Sequence, residues 1–182
     1  MQLLEQLEDQ GLMQLCRQGK SAGFGELYKR YSKAIFNSIL RLVNDFAHAE
    51  DILQEVFVTI YQEIMKPKDI EHFGGYAKKI AMNRAISFLR QNKRIVVFED
   101  YNENILEEDN VEEEDFELKV EDVKKAINAL PDGFRTVVNL YLVEGLPQED
   151  IAELLGVSHS TVRTQYHRAK KKILSLLQKE VV

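Results

Sequence analysis

One stretch near the C-terminal end, residues 147–172, restricts the fold more than any other part of the sequence. It reads PQEDIAELLGVSHSTVRTQYHRAKKK. Pro147 can begin a helix because the first helical residues need no N–H partner, and two acidic residues follow where the helix dipole favours negative charge. Gly156 can end that helix in the left-handed conformation, and Ser158 can cap the next helix. The stretch therefore predicts a helix-turn-helix.

The second helix of this stretch is predicted to have an apolar side and a polar, cationic side. Apolar residues recur every three or four positions, as on one helix face: Val162, Tyr166, Ala169, Ile173 and Leu176. The other side carries Ser160, Arg163, Thr164, His167, Arg168 and Lys171. From His159 to Lys179 there are six Lys or Arg and no Asp or Glu. Because a major groove accepts one helix and such side chains contact bases and phosphates, this pattern favours DNA binding over an ordinary solvated face.

The rest of the sequence predicts an all-α protein, because no segment alternates convincingly between apolar and polar residues. Helices are predicted at about 3–18 with a weak point near Gly11, then up to Asn44, and at 46–65, 76–94, 118–129, 132–144, 148–155 and 159–178. Turns or loops are predicted at residues 19–25 and 67–75. The chain has no internal repeat.

Charge divides the sequence into two helical domains and a linker. The net charge is −6, yet residues 99–117 hold eleven acidic side chains and no Lys or Arg. Such a block repels itself and stays extended, so we expect domains at residues 1–95 and 118–182, joined by a flexible acidic linker at residues 96–117. Because the linker separates two mildly basic blocks, we hypothesise that it mimics nucleic acid and discourages DNA binding by the free protein.

Composition also indicates the compartment. Cys16 is the only cysteine, so no internal disulfide is possible and a reducing cytoplasm is the simplest expectation. No apolar run approaches the ~18 residues that span a membrane, and the N-terminus lacks a signal-peptide pattern. We therefore expect a cytoplasmic protein without membrane insertion.

Two further helices have distinct surfaces. In FAHAEDILQEVFVTIYQEIM (46–65), one side is apolar and the other clusters Glu50, Asp51, Gln54, Glu55 and Val58. An apolar residue within an acidic surface is a mild sign of protein binding rather than a solvated face. In YAKKIAMNRAISFLRQNKR (76–94), one stripe carries Tyr76, Lys79, Asn83, Ser87, Arg90 and Arg94. An aromatic ring, an amide and cations together suit single-stranded nucleic acid, although a basic helix with surface ion pairs is an alternative.

With these motifs, the chain resembles a bacterial RNA polymerase sigma factor of the extracytoplasmic-function (ECF) group of the sigma-70 family, over nearly its whole length. AEDILQEVF (49–57) resembles the region-two signature that docks on the polymerase clamp helices. FGGYAKKIAMNRAISFLR (73–90) resembles the segment that opens and reads the minus-ten element. Residues 130–173 resemble region four, which reads the minus-thirty-five element.

The resemblance implies a role for each surface. It assigns core RNA polymerase binding to Asp51, Gln54 and Glu55. It assigns the minus-ten DNA to Lys68, His72, Phe73, Tyr76, Lys79, Asn83 and Arg90, with a flipped base captured by the loop at 68–75. It assigns the minus-thirty-five DNA to Ser160, Arg163, Thr164, His167, Arg168 and Lys171. Tyr76 stands where the family commonly has Trp, which leaves the exact minus-ten preference open.

The implied function is a transcription initiation factor that directs core polymerase to promoters, helps to open the minus-ten region and is held inactive by an anti-sigma factor. The sequence alone leaves one alternative, a helix-turn-helix repressor or activator that binds a duplex operator as a dimer. We expect no enzyme, metal or cofactor. The four histidines have no metal-binding spacing, Gly23-Phe24-Gly25 is not a phosphate loop, and Cys16 has no evident base.

Overall fold

The computed structural model describes residues 2–67, 69–92 and 120–179. Over these ranges the protein is helical and contains no strand, which confirms the predicted all-α class. The chain forms two compact units, residues 1–88 and 89–182. The predicted linker at residues 96–117 lies outside the described residues, so its flexibility and the predicted domain boundaries stay predictions.

The first part of the chain contains α1 (Gln2–Glu5), α2 (Asp9–Arg17), α3 (Ser21–Val43), α4 (Phe46–Met65) and α5 (Phe73–Gln91). Helix α4 has the predicted bounds because both of its ends carry strong local signals. Asn44 adopts the left-handed conformation with φ 50°, which ends α3. The Asp45 carboxylate then accepts a hydrogen bond of 3.0 Å from the backbone N–H of His48, which caps α4. Pro67 follows the C-terminal end of the helix.

Several glycines that the sequence assigned to breaks or turns lie inside helices. Gly11 belongs to α2, and the first helical segment breaks at residues 6–8 instead. The turn predicted for residues 19–25 is wrong from Ser21 onward, because α3 begins there. The loop predicted for residues 67–75 ends earlier than expected, because α5 begins at Phe73. Packing explains the clearest case, since a Cβ on Gly23 would lie 2.5 Å from the Leu12 carbonyl oxygen of α2.

The core of the first unit forms around one side of α4. The predicted apolar stripe is buried throughout and consists of Ala49, Leu53, Val56, Phe57, Ile60 and Ile64. Helices α2 and α3 cover it with buried side chains that include Leu12, Met13, Leu27, Ile39 and Leu42. Burial of one such side chain stabilises the fold by roughly 1.5–3 kcal/mol, so this stripe holds the opposite side of α4 at the surface.

The second unit contains α6 (Val120–Asn128), α7 (Asp132–Val138), a π-helical turn (Asn139–Val143), α8 (Gln148–Leu155) and α9 (His159–Lys179). Helices α8 and α9 form the predicted helix-turn-helix. Gly156 ends α8 with φ 66°, and the Ser158 hydroxyl accepts a 3.1 Å hydrogen bond from the backbone N–H of Thr161. The core cluster beneath α9 consists of Leu130, Val138 and Ala169, with Ile127, Phe134, Tyr166, Ile173 and Leu176 packed against it.

Two features of the second unit were not predicted. The π-helical turn replaces the last part of the helix expected at 132–144, and the Glu144 N–H donates to the Asn139 carbonyl at 2.9 Å. Arg135 is only 3% exposed; it donates to the Leu130 carbonyl at 2.9 Å and pairs with Asp132. The buried guanidinium therefore joins the turn after α6 to the start of α7.

Within the described ranges, no helix combines the length and hydropathy that a membrane span requires. The same residues include no group of three or more His, Cys, Asp or Glu placed to hold a metal ion. Cys16 is buried, and burial raises the pKa of its thiol.

Candidate functional surfaces

The outer side of α4 brings together the three residues that the family resemblance assigned to polymerase binding. Asp51, Gln54 and Glu55 are all exposed, and Val58 beside them is 59% exposed. They share one side because residues three and four apart are neighbours on a helix. We refer to these four residues as the α4 surface. It offers carboxylates, an amide and an apolar side chain to a protein partner.

An open groove of about 720 Å³ runs along the α4 surface. It is lined by Asp51, Gln54, Glu55, Val58, Thr59, Gln62 and Arg84. Arg84 comes from α5, and its Nη1 lies 3.7 Å from Glu55 Oε2 while its Nη2 donates to Thr59 Oγ1 at 3.3 Å. Sequence reasoning missed Arg84, because its position depends on how α5 packs against α4. An exposed ion pair of this kind contributes at most about 1 kcal/mol, so a partner can displace it at little cost.

Helix α5 and the residue before it carry the side chains assigned to minus-ten DNA. His72, Lys79 and Asn83 are exposed, and so is Arg90 further along the helix. Tyr76 is half-buried, and its hydroxyl donates to Glu63 Oε2 at 3.0 Å. Burial, together with this hydrogen bond, raises the pKa of Tyr76. We refer to His72, Tyr76, Lys79 and Asn83 as the α5 surface, in which Tyr76 is held against α4.

Two of the residues assigned to minus-ten DNA are not on this surface. Phe73 is 1% exposed, and its ring centroid lies 5.0 Å from that of Tyr31. The assignment of Phe73 to DNA contact is therefore wrong, because its side chain belongs to the core at the first turn of α5. Lys68 lies outside the described residues.

The outer side of α9 carries all six residues assigned to minus-thirty-five DNA, which we call the α9 surface. Ser160, Arg163 and His167 are exposed, whereas Thr164, Arg168 and Lys171 are half-buried. The opposite side packs inward through Val162 and Ala169, which are 1% and 0% exposed. Gln165 is also buried, at 2% exposure, which sequence analysis did not predict because its amide is polar. The helix therefore presents a continuous polar and cationic side with its apolar side anchored.

Comparisons with known proteins agree with this architecture. Residues 27–95 match the family model described as Sigma-70 region 2, and residues 121–173 match the one described as Sigma-70, region 4. The first match covers α4 and α5, and the second covers the helix-turn-helix.

Curated relatives match over most of the chain. The ECF RNA polymerase sigma-E factor of Haemophilus influenzae is 30% identical, and the match covers 97% of this chain and 98% of the relative. The ECF RNA polymerase sigma factor SigE of Mycolicibacterium smegmatis is 28% identical, and the match covers 89% of this chain but 64% of that longer relative.

A solved structure shares the fold. The sigma factor RpoE from Bartonella quintana, crystallised in complex with the anti-sigma factor NepR, matches with a TM-score of 0.53 and 22% identity. The match covers 85% of this chain and 96% of that one. Two family models in the same order as the two units, and a relative of nearly equal length, establish the family. The chain belongs to the extracytoplasmic-function group of the sigma-70 family of RNA polymerase sigma factors.

Proposed function

We propose that this protein binds core RNA polymerase, directs it to specific promoters and helps to open the minus-ten region. One observation supports this most directly. Two helices that pack together, α4 and α5, expose surfaces of different character, one acidic with Val58 beside its carboxylates and one polar with cations. Such a unit suits a protein partner on one side and single-stranded DNA on the other.

In this proposal the α4 surface contacts the polymerase, and the α5 surface together with Arg90 contacts the minus-ten strand. Extracting a base from the stack costs a few kcal/mol, which contacts from Lys79, Asn83 and residues 69–72 would offset. The α9 surface enters the major groove of the minus-thirty-five element. The α5 and α9 surfaces each bind DNA weakly alone, and the bound polymerase keeps both at high effective concentration near the promoter.

The proposal includes control by an anti-sigma factor in the cytoplasm. The Bartonella quintana sigma factor, whose fold is similar, was crystallised with its anti-sigma factor NepR. A chain that carries exposed acidic and cationic surfaces offers sites that such a partner can cover. Catalysis is not part of the proposed role.

Run-off transcription with purified core polymerase on a promoter library tests the proposal. Promoter-specific initiation that depends on this protein supports it. Specific duplex binding by the free protein as a dimer, without any initiation, would favour a helix-turn-helix repressor instead.

A matched pair of variants tests the polymerase contact. Glu55→Gln should weaken binding to the core about thirtyfold or more, since an interface charge that loses its partner costs about 2 kcal/mol or more. Glu50→Gln is the control, because Glu50 is exposed on the same helix but does not line the groove. Equal core affinity of both variants would contradict the assignment of the α4 surface.

A further inference from the structure

Side chains of α2 donate hydrogen bonds to backbone carbonyls at the end of α4 and in the segment between α4 and α5. Arg17 Nε donates to the carbonyl of Ile64, in the last turn of α4, at 2.9 Å. Gln10 Nε2 donates to the carbonyl of Ile70 at 2.9 Å. The Ile70 side chain is itself buried, at 3% exposure. Two side chains of α2 therefore hold the chain at two points, one in the last turn of α4 and one at Ile70 before α5.

The same helix is also tied to the first turn of α5. The Tyr31 hydroxyl donates to Asp9 Oδ2 at 2.5 Å, and the Tyr31 ring packs against Phe73. Gly74 permits this approach, since a Cβ there would lie 2.7 Å from Tyr31 Cε1. Tyr31 thus joins the first residue of α2 to the first residues of α5.

These contacts leave an outward-facing segment with a fixed backbone. Asp69, Glu71 and His72 are exposed, whereas Ile70 and Phe73 on either side of Glu71 and His72 are buried. We call residues 69–72 the 69–72 loop. Recognition of a single base requires side chains held within about 0.5 Å of a productive geometry, which a short exposed segment attains only if its backbone is anchored.

We infer that Gln10 and Tyr31 are positioning residues that set the conformation of the 69–72 loop, and through it the base that the protein prefers in the minus-ten element. Neither side chain needs to contact DNA for this role. The inference rests on the proposed function, because the loop selects a base only if the protein opens promoters.

Gln10→Met and Tyr31→Phe remove one hydrogen bond each while nearly keeping side-chain size. The controls are Gln14→Met, at an exposed position of α2, and Tyr28→Phe, at a position that is 43% exposed. All four variants are assayed with core polymerase in run-off transcription. The templates carry each base at each minus-ten position and one constant minus-thirty-five element. Core affinity and thermal stability are measured in parallel.

Loss of one hydrogen bond that favours a loop conformation should shift its population about two- to tenfold. We expect Gln10→Met and Tyr31→Phe to change the ratio of initiation between bases at one or more minus-ten positions by that factor. Core affinity should stay within about twofold of the wild-type value, and the control variants should keep the wild-type ratios.

The outcomes separate this inference from the proposed function. A wild-type protein that initiates on no template contradicts the proposed function itself. A wild-type protein that initiates selectively, with variants that keep its base ratios even when their thermal stability falls, shows that Gln10 and Tyr31 are only structural. Gln10 is largely exposed apart from its amide contact, so Gln10→Met should fold and give one of these results.

Discussion

Replacing Gly23 with Ala should destabilise the first unit, whereas the same change at Gly25 should stabilise it. Both glycines lie near the start of α3 and differ mainly in what a Cβ would meet. At Gly23 the Cβ would lie 2.5 Å from the Leu12 carbonyl oxygen and 2.9 Å from the Leu15 Cβ. At Gly25 nothing lies within 4 Å of it.

The magnitude follows from two opposing effects. Alanine is favoured over glycine in a helix by about 1 kcal/mol, which applies to both positions. Overpacking costs about 1–3 kcal/mol, and Gly23 belongs at the upper end because backbone atoms of α2 cannot rotate away. Gly23→Ala should therefore lose about 2 kcal/mol and Gly25→Ala gain up to about 1 kcal/mol, a difference of about 3 kcal/mol.

Urea unfolding followed by circular dichroism measures the free energy of unfolding of each variant. Because the chain has two units, hydrogen exchange of peptides from residues 9–43 assigns the change to α2 and α3. Equal stability of the two variants, or a change confined to the second unit, would refute the close packing of α2 on α3.

Three other predictions follow from the described contacts. Arg163→Ala should weaken use of the minus-thirty-five element by about 1–3 kcal/mol in run-off transcription, whereas Lys172→Ala, exposed on α9 but outside the α9 surface, should not; an Arg163→Ala variant that keeps the wild-type preference for intact over scrambled elements would argue against base contact. The backbone N–H of His48 holds the pKa of the Asp45 carboxyl below its usual range, so its stabilising effect is present above about pH 4 and is lost as the pH falls through the lowered pKa. Asp45→Asn keeps an acceptor without the charge, and its melting temperature should fall less than that of the wild type between about pH 6 and about pH 3. Gly74→Ala should displace the Tyr31 ring and lower both thermal stability and minus-ten selectivity. Gly75→Ala is the control, because a Cβ there meets nothing within 4 Å, and it should lower neither quantity.

The elements that sequence analysis placed correctly are those in which local signals and packing agree. Helix α4 has a capping residue, Asp45, a clear apolar stripe and a proline beyond its end. The turn between α8 and α9 has Gly156 in the left-handed conformation and Ser158 as a cap. The exposed side of each of these helices follows from its buried side, so the three polymerase-binding candidates and the α9 surface could be located from periodicity.

The errors arise where distant contacts override a local preference. Gly23 and Gly74 resemble helix breakers, but each allows another element to approach closely, a reason that is absent from its neighbourhood in the sequence. Phe73 was grouped with a DNA-reading loop, because its burial against Tyr31 depends on residues far along the chain. Gln10 contacts Ile70 across sixty residues, and no helical period indicates such a pair.

The π-helical turn at Asn139–Val143 carries one residue more than an α-helical turn would need. Loss of one residue here would return the turn to the i→i+4 pattern of an α-helix and remove the Glu144–Asn139 hydrogen bond that closes it. Point substitutions in this segment should therefore be tolerated better than insertions or deletions. Among sigma factors that differ in length, gaps should avoid this turn and fall before α6 instead.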